Sequence, residues 1–366
     1  MGPIKAQASY KKEVPTETWL EWKKEKKARK AKKREKLLSE LDKQKEAASE
    51  ISTEIEPTSQ EESKGRSWTL SIALPGNILD NAQTPELRSA LAGQIARAAA
   101  IFNVDEIVVF NEHGSLDKDK DNNSGLDEDL PPSCLQLSRI LQYLECPQYL
   151  RKYFFPIHQD LRHAGLLNPL DAPNHYRRDD KAKFREGYVT EKVKKSAHSM
   201  VDVGLQRPIP VDTQLTPGLR VTVEIEEHPS GDMKKLQGRV VPPSTPVKQE
   251  GTYWGYSVRC APSLGAVFTQ CPYDEGYDLL VGTSERGDPV PKCLPSFKHI
   301  LVTFGGLRGL ELGLESDESL KVDDPSMLFD FYLNTCPGQG SRTIRTEEAL
   351  LVTLAALQPA INSANF

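Results

Sequence analysis

The chain has 366 residues, 38% of them hydrophobic and 27% charged, an ordinary mix for a soluble globular protein with room for about two domains. No run approaches the roughly 18 uninterrupted apolar residues of a membrane helix, which excludes a helical bilayer protein, and residues 1–7 lack the basic start and apolar core of a secretory signal. The net charge of −5 conceals a division: residues 1–45 hold 15 Lys/Arg against 7 Asp/Glu, a balance of +8, which leaves 32 against 45, or −13, for the rest. Cys134, Cys146, Cys260, Cys271, Cys293 and Cys336 include no Cys-x-x-Cys pair. With seven scattered histidines they give no zinc-finger spacing and no disulfide framework, so no metal is expected, and a reducing compartment is.

A basic arm opens the chain. Ten of the fourteen residues at 23–36 are Lys or Arg; the composition favours helix, while the like charges keep the segment solvated. Residues 1–66 therefore read as a largely disordered or helical arm that dissolves into a polar linker at 54–63. Such an arm suits phosphate contact or a nuclear or nucleolar address; the plainer alternative is a solvated charged helix. The folded part starts at Trp68. Residues 68–74 (WTLSIAL) predict a strand, followed by a Pro75-Gly76-Asn77 turn. A helix fits 85–102, with Thr84 as cap, Pro85 at the first position, and Leu87, Leu91, Ile95 and Phe102 on one apolar side. Residues 106–110 (EIVVF) complete a strand–helix–strand unit, which predicts parallel neighbours. The acidic, turn-rich stretch 111–132 reads as a flexible surface loop, and 135–144 and 148–155 as two short helices broken at Pro147.

Between 171 and 278 the texture becomes strand-like. The segments 184–189, 219–225, 238–242, 253–259 and 264–268 are separated by Gly- and Pro-rich turns, which suggests a small OB-like barrel. Tyr188, Tyr253, Trp254 and Tyr256 could stack on bases there, with Arg185, Arg239 and Arg259 nearby in sequence; equally, the aromatics could fill the barrel interior. After Tyr277 the α/β pattern returns with strands at 278–282, 299–304 and 328–333 and a helix from Glu347. The expected architecture is α/β and discontinuous: residues 67–170 and 279–366 form one domain, and 171–278 are inserted in it.

Three glycine-bearing loops follow those last strands: 282–287 (GTSERG), 305–311 (GGLRGLE) and 334–343 (NTCPGQGSRT). In open α/β sheets ligands sit beyond the carboxyl ends of strands, where such loops converge, and glycine lets backbone approach a ligand closely. Spacing excludes two common nucleotide sites. Asp288 stands where a phosphate-binding loop needs Lys, and Thr343 stands where a dinucleotide fingerprint needs its last Gly or Ala. What remains is a backbone-lined pocket with Arg286, Arg342 and Arg345 close by in sequence. Thr346 can cap the last helix; Glu347 and Glu348 suit its dipole, and Leu350, Leu354 and Leu357 pack one side of it.

Residues 334–359 (NTCPGQGSRTIRTEEALLVTLAALQP), with GTSERG (282–287), FGGLRGLE (304–311), ALPGNILDNAQTPELRSALAGQIARA (73–98) and LQYLECPQYLRKYFFPIHQDLRHAGLLNPLDAP (141–173), closely resemble the eukaryotic SPOUT domain-containing methyltransferase 1 family. The resemblance runs from about Trp68 to Pro359 and fades over 1–66 and 113–131. It implies an α/β-knot fold, in which the C-terminal chain threads a loop to make a trefoil knot, with an OB-like insertion. It also implies S-adenosyl-L-methionine bound in the knot loops, a homodimer formed through the knot region, and an RNA substrate, ribosomal RNA foremost. Relatives are further linked to the kinetochore and mitotic spindle.

By motif, the resemblance assigns the cofactor to Thr283, Glu285, Arg286, Gly305, Gly306, Glu311, Asn334, Gly338, Gln339, Gly340, Thr343 and Thr346. It leaves Arg342 or Arg345 to polarise the acceptor base or to hold a flanking phosphate. Methyl transfer is an in-line displacement that depends on positioning and electrostatics, and a uridine ring nitrogen must lose its proton or have its anion stabilised. No general base is assured from sequence; Glu285 and Glu311 are candidates. The leading reading is an RNA methyltransferase. The alternative, from another class, is a non-catalytic RNA-binding or kinetochore scaffold that keeps the fold.

Overall fold

The computed structural model describes residues 64–114, 130–193, 198–226 and 236–364. The basic arm and most of the acidic loop expected at 111–132 lie outside the described residues. The chain enters one sheet with β1 (Thr69–Pro75) and β2 (Glu106–Phe110). It then builds a second sheet from β3 (Phe184–Val193), β4 (Ser199–Asp202), β5 (Ile209–Pro210), β6 (Arg220–Glu226) and β7 (Gln237–Val241). It returns to the first with β8 (Ser257–Ala261), β9 (Leu279–Pro289), β10 (His299–Thr303) and β11 (Phe331–Asn334).

The first sheet runs β11-β9-β10-β1-β2-β8, and every neighbouring pair is parallel. β1, β2 and β10 are buried along almost their whole length because both faces are covered. One face packs under α1 (Pro85–Ile101), α2 (Pro132–Glu145) and the C-terminal helix, burying Ile72, Leu74, Ile95, Leu137, Leu350 and Leu354. The other carries Ala73, Val108, Phe110, Leu264, Leu314 and Phe329. Thr84 caps α1 by accepting from the Leu87 amide, with Pro85 behind it, as the sequence predicts. Its buried side, however, is built from small residues such as Ala92, Ala96 and Ala99, while Leu87 is exposed. Small residues let this helix lie close to its neighbours.

The second sheet is antiparallel, in order β5-β4-β3-β6-β7. Its edges meet: Val211 and Gly238 form a parallel bridge, and the Asp212 amide donates to the Gly238 carbonyl at 3.1 Å. Val189, Val201, Val211 and Val223 fill its interior. A short helix, α3 (Gln148–Phe154), docks on its outside. Tyr153 of α3 stacks on Tyr188 with ring centroids 4.1 Å apart, and Tyr149 donates to the Glu186 carbonyl at 2.7 Å.

Two expected strands behave differently. The segment read at 253–259 becomes extended only from Ser257, after Gly255 at a φ of +80°, and β8 joins the parallel sheet beside β2. The segment at 264–268 is a helix, α5 (Leu264–Thr269), which follows α4 (Ser244–Glu250) and is capped by Ser263 accepting from the Ala266 amide. Residues 257–278, expected in the insertion, therefore belong to the main layers. The antiparallel unit ends before them.

The proposed base-stacking residues are corrected too. Tyr253, Trp254 and Tyr256 are buried. Their polar tips bond inward, to the Val104 carbonyl (2.7 Å), a Glu186 carboxylate oxygen (2.5 Å) and the Leu141 carbonyl (3.0 Å) respectively. Arg185 is buried and donates to the Arg177 and Asp180 carbonyls. Arg259 pairs with Glu106 at 3.1 Å beneath the parallel sheet, and Arg239 pairs with Glu224. Apart from Arg239, which is exposed, these groups are turned inward and hold the fold together.

Candidate functional site at the carboxyl edge of the parallel sheet

Because all six strands run the same way, the loops after β1, β2, β9, β10 and β11 open on one edge. The first glycine-bearing loop is not a simple continuation past a strand. Gly282 pairs with Tyr332 and Asp288 with Leu333, so 283–287 leave the β9–β11 ladder as a wide bulge. The bulge is tied down from both sides: the Thr283 hydroxyl donates to the Thr303 carbonyl (3.0 Å), and the Asn334 amide donates to the Glu285 carbonyl (2.8 Å). Arg286 faces Glu311 at 3.8 Å, linking the bulge to the second loop. Glu311 opens α6 (Glu311–Glu315).

The second loop folds on itself, with the Gly309 amide donating to the Gly306 carbonyl at 3.1 Å. Gly309 has a φ of +75°. Gly305 is pinned by Thr346, whose hydroxyl donates to its carbonyl at 3.0 Å. Thr346 thus opens α7 (Thr346–Ala364) by bonding outward, and the capping role expected for it passes to Glu348, which accepts from the Arg345 amide at 3.0 Å. Leu350, Leu354 and Leu357 are buried as predicted.

Apart from the bonds of Asn334 to Glu285 and of Thr335 to Thr353, the third loop stays local. Asn334 accepts from the Cys336 amide, Gln339 donates to the Ser341 carbonyl, and the Thr343 amide donates to the Ser341 hydroxyl. Gly338 takes a φ of +75°, and a side chain there or at Gly340 would meet open space. Arg342 and Arg345 are exposed; Arg345 reaches Glu347 at 3.9 Å. Hydrogen bonds and ion pairs therefore join the Thr283, Glu285, Arg286, Gly305, Glu311, Asn334 and Thr346 positions. Gly338, Gly340, Arg342 and Thr343 are exposed, and Gln339 is half-buried.

One residue of this edge escapes the sequence reading. Glu112 comes two residues after the end of β2, is buried, and presses its carboxylate on Gly306: a Cβ at Gly306 would sit 2.2 Å from Glu112 Oε2. That oxygen has no hydrogen-bond partner among the described residues, and neither has the buried Thr303 hydroxyl at the end of β10. Burial pushes the Glu112 carboxyl above its usual value, Asp80 adds to the rise, and His113 opposes it. The signal available in sequence was its place, the first charged residue after a fully buried parallel strand.

The donor set fits a sulfonium cofactor. Backbone amides and carbonyls, hydroxyls and the Asn334 amide dominate; Arg286 is directed to Glu311, and Gly338 and Gly340 leave room beside them.

The family model described as "Putative RNA methyltransferase" matches residues 69–357, and the chain belongs to that family. It is 55% identical over 320 residues to a human 28S rRNA (uridine-N(3))-methyltransferase, covering 87% of this chain and 85% of that one. The mouse protein of that name is 56% identical over 304 residues (82% and 79%), and the Drosophila melanogaster one 49% over 355 residues (94% and 73%). The SpoU methyltransferase AviRb from Streptomyces viridochromogenes, solved with AdoMet, superposes with a TM-score of 0.29 at 12% identity, covering 84% of this chain and 63% of that one. That likeness is too loose to bear on fold or ligand.

Proposed function

We propose that the protein transfers a methyl group from S-adenosyl-L-methionine to N3 of a uridine in large-subunit ribosomal RNA. The observation that carries this reading is the convergence of glycine-bearing loops at one sheet edge in a chain so similar to proteins named for that reaction. When bound, the cofactor supplies an electrophilic methyl group on a positively charged sulfur. The bulge at 283–287, Gly305, Gly306, Asn334, Gly338, Gln339, Gly340 and the backbone at 343–346 would hold it, and Glu311 would orient Arg286. Arg342 and Arg345, both exposed, would receive the RNA.

Three finer readings belong with this proposal. The bond from Thr346 to Gly305 brings the chain after β11 back across β9 to the end of β10, which supports a knotted C-terminal region. Leu307, Ile344 and Leu351 are exposed apolar residues on those same elements, which supports a homodimer there. The five-stranded order, with its edges meeting at Val211 and Gly238, supports an OB-like barrel. The arm's charge suits a nuclear or nucleolar address. Nothing among the described residues favours kinetochore or spindle partners.

Calorimetry with S-adenosyl-L-methionine, followed by methyl incorporation into ribosomal RNA fragments, tests the proposal. Binding with a stoichiometric methylated uridine is expected. Cofactor binding with no methylated nucleoside would favour the scaffold alternative.

A further inference from the structure

We propose that Glu112 is the general base of the reaction, the group that takes the N3 proton of the target uridine. This rests on the methyltransferase reading above and adds a residue to it. A uridine N3 carries a hydrogen and is a poor nucleophile until that proton leaves, so the site needs an acceptor close to the cofactor loops. The two carboxylates suggested by sequence are poorly placed: Glu285 is exposed, and Glu311 is turned to Arg286. Glu112 differs on every count. It stands at the carboxyl end of β2, lies against Gly306, and holds the one carboxylate oxygen that is buried without a hydrogen-bond partner among the described residues.

An unpaired buried carboxylate is costly to keep and calls for an explanation. The local structure spends bonds to hold it there. The Asn111 side chain donates to the Gly114 carbonyl and accepts from the His113 amide, closing a tight turn around Glu112. Asn77, in the turn after β1, accepts from the Glu112 amide at 3.4 Å. The titratable groups facing Glu112 are Asp80, from the turn after β1, Cys134 of α2, and its neighbour His113. Burial and Asp80 both favour the protonated form, so the carboxylate is a stronger base than a solvated one. In the step proposed, the N3 proton passes to Glu112 and the nitrogen lone pair forms the new C–N bond. The methyl–sulfur bond breaks, its electrons pass to sulfur as the neutral thioether, and the carboxylic acid returns its proton to water.

The test uses the full chain carrying Glu112→Gln. Cofactor affinity by calorimetry should stay within about twofold, while kcat on uridine RNA at neutral pH falls by about 100-fold or more. RNA carrying 5-fluorouridine at the target, whose ring N–H is more acidic, should recover much of that loss. Thermal unfolding gives a readout without turnover. A carboxyl whose folded-state pKa is raised binds its proton more tightly in the folded protein, so wild-type stability falls as pH rises from its unfolded to its folded value; the Gln variant lacks that slope. The variant should therefore be no less stable than wild type, with its advantage growing as pH rises. Undiminished transfer, an equal deficit on both RNAs, or a variant destabilised at neutral pH would overturn the assignment. If wild type itself fails to bind the cofactor, the methyltransferase reading falls and the base assignment with it.

Discussion

Arg220→Met should be among the most damaging single changes outside the catalytic edge, and its cost can be worked from the contacts. Arg220 Nη1 and Nη2 meet both oxygens of Glu145 at 2.7 and 2.9 Å, and Nε meets Glu186 at 2.6 Å. All three side chains are at most 7% exposed. Glu145 closes α2 and Glu186 lies on β3, so this one guanidinium joins the helical layer to the antiparallel sheet. Burial alone works against its charge, yet the paired carboxylates hold it protonated well above the ordinary arginine value. Methionine keeps much of the stem volume, so the cavity term is small. What is lost is the shared cation, and removing one partner of a buried ion pair costs about 3–5 kcal/mol. Glu186 keeps its bonds from Thr222 and Trp254, which places the expectation toward the lower end. Urea unfolding followed by tryptophan fluorescence measures it, since Trp254 bonds to Glu186 itself. Acidification should narrow the gap by neutralising the carboxylates. A loss below about 1 kcal/mol, or a gap that ignores pH, would refute the claim that this cation joins the helical layer to the antiparallel sheet energetically.

Three further outcomes follow from the same geometry. Gly338→Arg puts a long side chain into the open side of the pocket at a φ of +75°, and should abolish S-adenosyl-L-methionine binding while a melting curve shows the fold intact; a folded variant with wild-type affinity would remove Gly338 from the pocket. Arg342→Ala and Arg345→Ala, both exposed, should leave cofactor affinity unchanged and lower methyl transfer through weaker RNA binding; filter-binding and calorimetry on the same samples separate the two effects. Trp254→Ala should cost about 3–5 kcal/mol of stability, because the indole is buried and donates to Glu186. Lowered RNA affinity in a Trp254→Ala protein of unchanged stability would restore the stacking role.

The elements legible in the sequence are those whose local signals agree with their burial. Thr84-Pro85 marks the start of α1, the run EIVVF is a fully buried strand, and Leu350, Leu354 and Leu357 trace the inner stripe of α7. Failures came where a short apolar run fits either period. LGAVF (264–268) is strand-like in composition, and only Ser263 ahead of it marked a helix start. YWGYSVR (253–259) contains both an irregular turn and the first residues of β8, and its pairing with β2, some 150 positions earlier, is set by tertiary contact that no local pattern encodes.

The site divides along the same line. The glycine-bearing loops were visible because glycine and turn residues are themselves the signal, and the structure joins two of them through side-chain bonds to backbone carbonyls. Glu112 was hidden by its company. It opens an acidic, turn-rich stretch whose composition says solvated loop, and a carboxylate in such a stretch is unremarkable until the fold is known. Only when β1, β2 and β10 lie side by side does the first acidic residue after β2 come against Gly306 and lose its water. Its chemistry is a property of strand order. A reading of composition or of spacing along the chain, however careful, weighs such a residue with the solvated acids that follow it, whereas the carboxyl edge of a parallel sheet picks it out by position alone.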